Sequence, residues 1–486
     1  MQVSRLEATY FPGNNTLKTL VSVGDYGKSI HKLANDPNRY LTVVSHSGCP
    51  DGSWSGMITA KSLPQRDVRQ LLQSYPMKPP AVEVTLLEQH GAIGENATIM
   101  TADIMFDMAT TLEALKKHEK VQLVLTDHHG GTGKKFLEAY NTLEPESRAF
   151  IDKAIDDGRL VVNVDTTESG ASHIFNLLNK EKSIEQLKEL FDCKSDKALA
   201  SYRQFMRSYD LTTMQPEAVR KLTRFVAEQV TLDRESQTIL DHCRAGIENE
   251  FIKDNLVHYL LCYLTDDVFN SRFHYARPGS DPTTVVAPSF HDLNDPSYPG
   301  GRSDPNHRVL IKVPEPTKTF VTEVFESCKN FNEALKKVDP QKFIAQVNEA
   351  IGVLSQGQPV TFAGERFFAA NTTARLGRFM QALVSDQLKK HPDCEYAVLF
   401  GNKYNVSLTR AMDSEIDLTD TVKKWLDKNL TQTGGGHPEA VGMQMVGERQ
   451  YEALLERCHK ADIPLGEEQF ERMRMVLTPQ KDSSPA

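Results

Sequence analysis

The sequence predicts an α/β protein built in two parts, a mainly parallel-sheet N-terminal domain and a smaller α/β C-terminal domain. Three observations predict it. Short apolar runs recur at 41–45, 82–87, 99–102, 121–126 and 160–164. Stretches of helical composition lie between several of them, as at 66–73 and 111–117. Strands alternating with helices imply right-handed crossovers and a parallel sheet. A second alternation of the same kind begins near Pro359.

In chain order, residues 1–38 are an N-terminal extension, and 39–182 carry the first alternation. Residues 183–353 form an α-rich continuation, richest in Leu, Glu, Lys and Arg up to 264 and helical again at 331–354. Within it, 276–317 is crowded with Pro, Gly, Ser, Asp and His, which marks a long loop or insertion. The second unit spans 359–465. Strands are expected at 360–362, 396–400 and 405–409, a helix at 376–389, and a turn opened by 434–437 before a strand at 440–445. Residues 466–486 read as a polar tail.

Composition narrows the function classes. A length of 486 residues with 39% hydrophobic and 25% charged residues suits a soluble protein with a well-buried core. The net charge of -9 opposes a surface built to coat duplex DNA. The seven cysteines are scattered and never occur as C-x-x-C pairs, which fits a reducing cytosol better than a disulfide framework. The N-terminus lacks the apolar core of a signal peptide, and no apolar run approaches membrane-spanning length. The expectation is a cytoplasmic protein with no membrane partner.

Chemistry gathers just past the apolar runs. His46, Cys49 and Asp51 follow the first, Asp103 follows 99–102, Asp127-His128-His129 closes 121–126, and Asp165 follows 160–164, ahead of Ser169. The crevice beyond the carboxyl ends of parallel strands is where open α/β sheets place ligands. Carboxylates mixed with imidazoles suit Mn2+, Fe2+, Co2+ or Zn2+ better than a calcium or magnesium cage. Each residue also has a plainer reading. Asp51, Asp103 and Asp165 suit helix N-caps, Asp107 a solvated helix face, Ser169 a helix start, and Gly434–Gly436 a loop needing positive φ.

Taken in order, His46…Cys49-Pro50-Asp51-Gly52, Asp103, Asp127-His128-His129 and Asp165…Ser169-Gly170-Ala171 resemble motifs I to IV of the DHH phosphoesterase superfamily. Ser407-Leu408-Thr409-Arg410 and Gly434-Gly435-Gly436-His437 are similar to signatures of the DHH-associated C-terminal domain, and 370–377 resembles a segment that opens it. The match covers roughly 40–175 and 360–447 and points to the H-x-x-C-P-D-G branch. Two departures stand out: Cys49 occupies a position where many members have Asp, and Thr409 places Arg410 one step late.

The resemblance implies a catalytic metal-binding domain and a substrate-binding domain with a cleft between them. It implies two ions, Mn2+ first and Mg2+, Co2+ or Zn2+ as alternatives. His46 and Cys49 would hold the first ion, Asp103 would bridge, and Asp51, His128 and Asp165 would complete the second. A Cys49 thiolate favours a softer ion, whereas a neutral thiol leaves the first ion weakly held. Asp127 would orient an imidazole, and His129 would meet the substrate phosphate. Arg410, Gly434, Gly435, Gly436, His437 and Ser169 would bind substrate. The implied activity is hydrolysis of short oligonucleotides, (cyclic) dinucleotides or related phosphodiesters by a water that two ions activate. Open alternatives are a single-strand-specific exonuclease, a phosphomonoesterase or polyphosphate hydrolase, and a catalytically weakened nucleotide-binding regulator. A homodimer is compatible with all of them.

Overall fold

The computed structural model describes residues 6–10, 17–22, 36, 39–46, 50–66, 68–73, 80–89, 91–191, 193, 195–210, 219–220, 223–224, 227–228, 230–272, 308–312, 328–371, 379–400, 405–445 and 447–463. They divide into two compact units, Met1–Leu211 with Arg224–Thr231 and Tyr263–Ala334, and Thr212–Thr223 with Leu232–Cys262 and Leu335–Ala486. No helix among the described residues is long and apolar enough to cross a membrane.

The first unit holds an eight-stranded sheet in the order β1-β2-β7-β6-β5-β3-β4-β8. Its strands are β1 (Leu6–Tyr10), β2 (Leu17–Ser22), β3 (Tyr40–His46), β4 (Val68–Gln73), β5 (Ala97–Ala102), β6 (Gln122–Asp127), β7 (Leu160–Asp165) and β8 (Arg308–Lys312). The five strands from β7 through β4 run parallel, and β2 and β8 flank them antiparallel. Every residue of β5 is buried, as expected for a strand covered on both faces. The connecting helices are α1 (Pro50–Ser62), α2 (Pro80–Gln89), α3 (Met108–Lys117), α4 (Gly130–Asn141), α5 (Pro145–Asp156) and α6 (Gly170–Asn179). The core runs through Val44, Ile99, Leu123, Leu125 and Val162 to Phe106, Phe136 and Tyr140.

Two expected elements exchange types. Residues 82–87 read as a strand, yet they lie in α2, where Val84 and Leu87 are buried and Thr85 is exposed. That three-to-four spacing, with Pro80 opening the helix, overrides the β-branched composition. Residues 66–73 read as helical, yet Val68–Gln73 is strand β4, paired with both β3 and β8. Its buried Gln70 is satisfied by donating Nε2 to Ser45 Oγ at 2.9 Å and to the Gly52 carbonyl at 3.1 Å. Strand β8 also lies inside the stretch expected to be a loop, 276–317, whose other residues lie outside those described.

The second unit holds a six-stranded sheet in the order β13-β14-β12-β11-β10-β9. Its strands are β9 (Gln358–Phe362), β10 (Glu365–Asn371), β11 (Tyr396–Phe400), β12 (Asn405–Arg410), β13 (Thr431–His437) and β14 (Ala440–Met445). Helices Leu418–Asp427 and Gly447–Lys460 supply Trp425, Leu454 and Leu455 to a core with Phe367, Val398 and Leu408. Gly434–His437, expected to open a turn before Ala440, ends β13 and leads into that turn at Pro438–Glu439.

Candidate metal centre

Strands β3, β5, β6 and β7 end side by side, so His46, Asp103, Asp127 and Asp165 emerge along one edge of the sheet. Thr101 and Thr126 pin the ends of β5 and β6 together. The Thr126 amide donates to Thr101 Oγ1 at 2.9 Å, and the Thr126 hydroxyl donates to the Thr101 carbonyl. Beyond that clasp Asp103 adopts φ 59°, a left-handed conformation costly for a residue with a Cβ. The turn directs its carboxylate between imidazoles. Asp103 Oδ1 accepts from His128 Nε2 at 2.9 Å, and Asp103 Oδ2 lies 3.8 Å from His46 Nδ1.

Asp51 enters from the first turn of α1 and faces the start of α6. Its carboxylate accepts from the amides of Gly170 at 2.6 Å and Ala171 at 2.9 Å. A helix N-terminus offers unpaired N–H groups and partial positive charge, a favourable setting for a carboxylate. Asp51 Oδ2 lies 3.9 Å from His128 Nε2. Asp51, Asp103 and His128 are 0, 2 and 0% exposed. Each offers a ligand atom, and these atoms lie within 4.8 Å of one another.

The donor set fits a divalent transition cation. Two carboxylates buried together beside one imidazole concentrate negative charge that a divalent cation would offset. Burial alone would raise the Asp103 carboxyl; His128, His129 and His46 outweigh it and hold it at about 2. Backbone closes around the group because two residues lack a Cβ. A Cβ at Gly170 would stand 2.8 Å from Asp103 Cβ and 2.9 Å from Asp51 Oδ2. One at Gly52 would stand 3.0 Å from Asp103 Oδ2 and collide with the His46 backbone.

Asp127 supports the pair of histidines through a single oxygen. Its Oδ1 accepts from the amides of His128 at 2.7 Å and His129 at 3.1 Å, and from His129 Nδ1 at 2.7 Å. The imidazole it orients is therefore that of His129, while it steadies His128 through the main chain. His129 is 16% exposed. Burial opposes its imidazolium, but Asp127 beside it outweighs that and raises its pKa.

Asp165 and Ser169 are engaged more locally. Asp165 Oδ1 accepts from the Thr167 amide at 2.9 Å and the Thr167 hydroxyl at 2.6 Å, and Asp165 is not part of the Asp51–Asp103–His128 group. Ser169 caps α6 in a reciprocal box with Ser172 and donates its hydroxyl to the Met206 carbonyl at 2.9 Å, the helix-start reading. Asp107 likewise caps α3, accepting from the Thr110 amide. Cys49 lies outside the described residues.

One buried imidazole, His173, escapes the motif pattern and sits one turn into α6. It is 3% exposed, neither ring nitrogen has a hydrogen-bond partner, and burial pushes it down to about 4. Asp165, Asp127 and His128 all act on it electrostatically. A histidine inside a helix that buries Ala171, Ile174, Phe175 and Leu178 was the available signal.

In the second unit, Arg410 ends β12 and is already engaged. It donates Nη1 to the Ile416 carbonyl and Nη2 to Glu439 Oε1 at 3.0 Å. The glycine run has structural work of its own. A Cβ at Gly434 would meet Val422 and Met443 at 2.6 and 2.9 Å, so helix Leu418–Asp427 packs on bare backbone. Gly436 has φ 143° where the chain closes on Ala440. Gly435 pairs with Gly442, and His437 with Ala440. Strand β13 is the sheet's edge, so alternate amides face away from β14.

Burial drives the Glu439 carboxyl up from its ordinary 4.5 to about 7 despite Arg410. A carboxyl raised on folding contributes stability below about pH 4.5 that is lost as the pH climbs through 7. Glu439→Gln should remove that loss. Urea unfolding should then show the variant gaining, relative to wild type, up to about 3 kcal/mol between pH 5 and pH 8.

No protein-family model matches the sequence, and no curated protein matches it. Among solved structures, the chain is similar to a DHH domain described as a member of the s1p family of ribosomal proteins, at 13% identity, 90% coverage of this chain, 89% of that one, and a TM-score of 0.46. It is similar to RecJ of Thermus thermophilus in complex with Mn2+, at 14% identity, coverages of 93% and 59%, and a TM-score of 0.44. It is also similar to an exopolyphosphatase-related protein of Bacteroides fragilis, at 12% identity, coverages of 90% and 96%, and a TM-score of 0.34. What defines the centre is the chain itself: two buried carboxylates and an imidazole at the carboxyl edge of a parallel sheet.

Proposed function

We propose that this protein is a metal-dependent phosphodiesterase of the DHH kind, acting on short oligonucleotides, (cyclic) dinucleotides or related nucleotide phosphodiesters. The observation that carries the proposal is the buried Asp51–Asp103–His128 donor set. Asp51, Asp103 and His128 would hold a divalent cation, Mn2+ foremost, with His46 and Asp165 as the further ligands of a two-ion centre. Bound there, such ions lower the pKa of water and offset charge on a phosphoryl oxygen. His129, partly exposed and fixed by Asp127, would hydrogen-bond a phosphate oxygen or pass it a proton. Arg410 and the Gly434–His437 strand would contact phosphate from the second unit. The net charge of -9 favours short substrates over long strands, which need an extended cationic track.

The test is a hydrolysis screen with Mn2+ across dinucleotides, cyclic dinucleotides, oligonucleotides of graded length and pyrophosphate, with Asp127→Ala and His128→Ala as controls. Turnover of a phosphodiester that both controls lose is the expected result. Controls that remain fully active would show that the site lies elsewhere. His129→Gln should lower kcat by about 10²- to 10⁴-fold while cation binding, read by calorimetry, is retained.

A further inference from the structure

We propose that Glu439 is a displaceable guard on Arg410, its carboxylate standing where an anionic group of the ligand binds. The inference deepens the reading of Arg410 as a phosphate contact and rests on it. The Nε–H and Nη2–H edge of a guanidinium forms a fork that matches two oxygens of a carboxylate or phosphate. Here the fork is half filled. Nη2 donates to Glu439 Oε1 at 3.0 Å, whereas Arg410 Nε and Glu439 Oε2 are both buried without a hydrogen-bond partner. The two side chains are only 12 and 16% exposed, so each unsatisfied atom carries a desolvation cost.

A pair serving only to brace the fold is expected to close both bonds, because a buried ion pair holds its ground only when its remaining polar atoms are satisfied. This one is poised to come apart. Burial pushes the Glu439 carboxyl up to about 7 in spite of Arg410, and Asp417 adds to the rise, so its ionised form is weakly held. The guanidinium has a hold independent of the Glu439 side chain, because Nη1 donates to the Ile416 carbonyl. Glu439 sits in the Pro438–Glu439 turn directly after Gly434-Gly435-Gly436-His437. A phosphate with two oxygens on Nε and Nη2 completes the fork, and the displaced carboxylate turns to water, where it stays ionised.

An internal occupant scales apparent affinity down to the fraction of protein in which it is not bound. Inorganic phosphate should be titrated by calorimetry into the EDTA-treated full chain at pH 8. Glu439→Gln keeps an acceptor for Nη2 but removes the competing charge, and it should bind phosphate about tenfold tighter than wild type. Glu439→Ala should do the same. Adding Arg410→Met to either variant should abolish the gain. Circular dichroism and thermal unfolding confirm that each variant is folded. Equal or weaker phosphate binding in both Glu439 variants would overturn the proposal, as would a gain that survives Arg410→Met. The titration contains no metal, so its outcome is separate from that of the hydrolysis screen.

Discussion

Asp103→Asn is expected to lower Mn2+-dependent hydrolysis by about 10³-fold or more, because cations at such a centre supply several kcal/mol of transition-state stabilisation. Asp103 is the residue on which the centre converges, 2.9 Å from one imidazole and 3.8 Å from another. Asparagine is the informative replacement. It tolerates the left-handed backbone at φ 59° and keeps an oxygen for His128, so the fold survives while the charge is lost. Calorimetric titration with Mn2+ should show weakened or absent binding, with thermal unfolding little changed. Wild-type cation affinity in this variant would contradict the assignment of Asp103 as a ligand.

Gly170→Ala should have an effect of similar reach from outside the donor set. Its new methyl group would press on Asp103 Cβ at 2.8 Å and Asp51 Oδ2 at 2.9 Å, and neither neighbour is the end of a flexible chain. Overpacking of this kind costs about 1–3 kcal/mol. Here relief requires α6 to move away from Asp51, breaking the two amide contacts that hold the carboxylate. The expected result is a lowered unfolding midpoint together with cation affinity reduced by about 10- to 100-fold. A variant that loses stability but binds Mn2+ normally would show that the centre tolerates a shift of α6.

The strand ends were legible because a parallel strand announces itself. Burial on both faces demands a continuous apolar run, and acids and imidazoles directly after it have little to gain from packing. Strands β3, β5, β6 and β7 all follow that rule. The exchange of 66–73 and 82–87 shows where the rule weakens. β4 carries Arg69 and Gln70, and the buried Gln70 amide finds its acceptors in Ser45 and Gly52; α2 carries valines that its helical spacing tolerates. β8 was illegible, since five residues in a Pro- and Gly-rich stretch acquire meaning only from their pairing with β4. The same holds for His173 and Glu439. Their interest comes from neighbours distant in sequence and from atoms left unsatisfied, and no local pattern records either. The glycines of 434–436 were legible as special, but two of them answer to packing and to a turn.

The pairing of β8 with β4 has a consequence for how the chain matures. Residues 308–312 close an edge whose partner was made some 240 residues earlier, as Leu71↔Leu310 shows. Contacts between such distant segments form late, after the entropy of a long loop has been lost. Until then β4 presents an unpaired row of backbone groups beside β3, the strand that carries His46. Such an edge invites a neighbouring chain. The stretch between 276 and 317, which reads as a long loop or insertion in sequence, thus contains the piece that closes the edge of the sheet bearing the candidate metal centre.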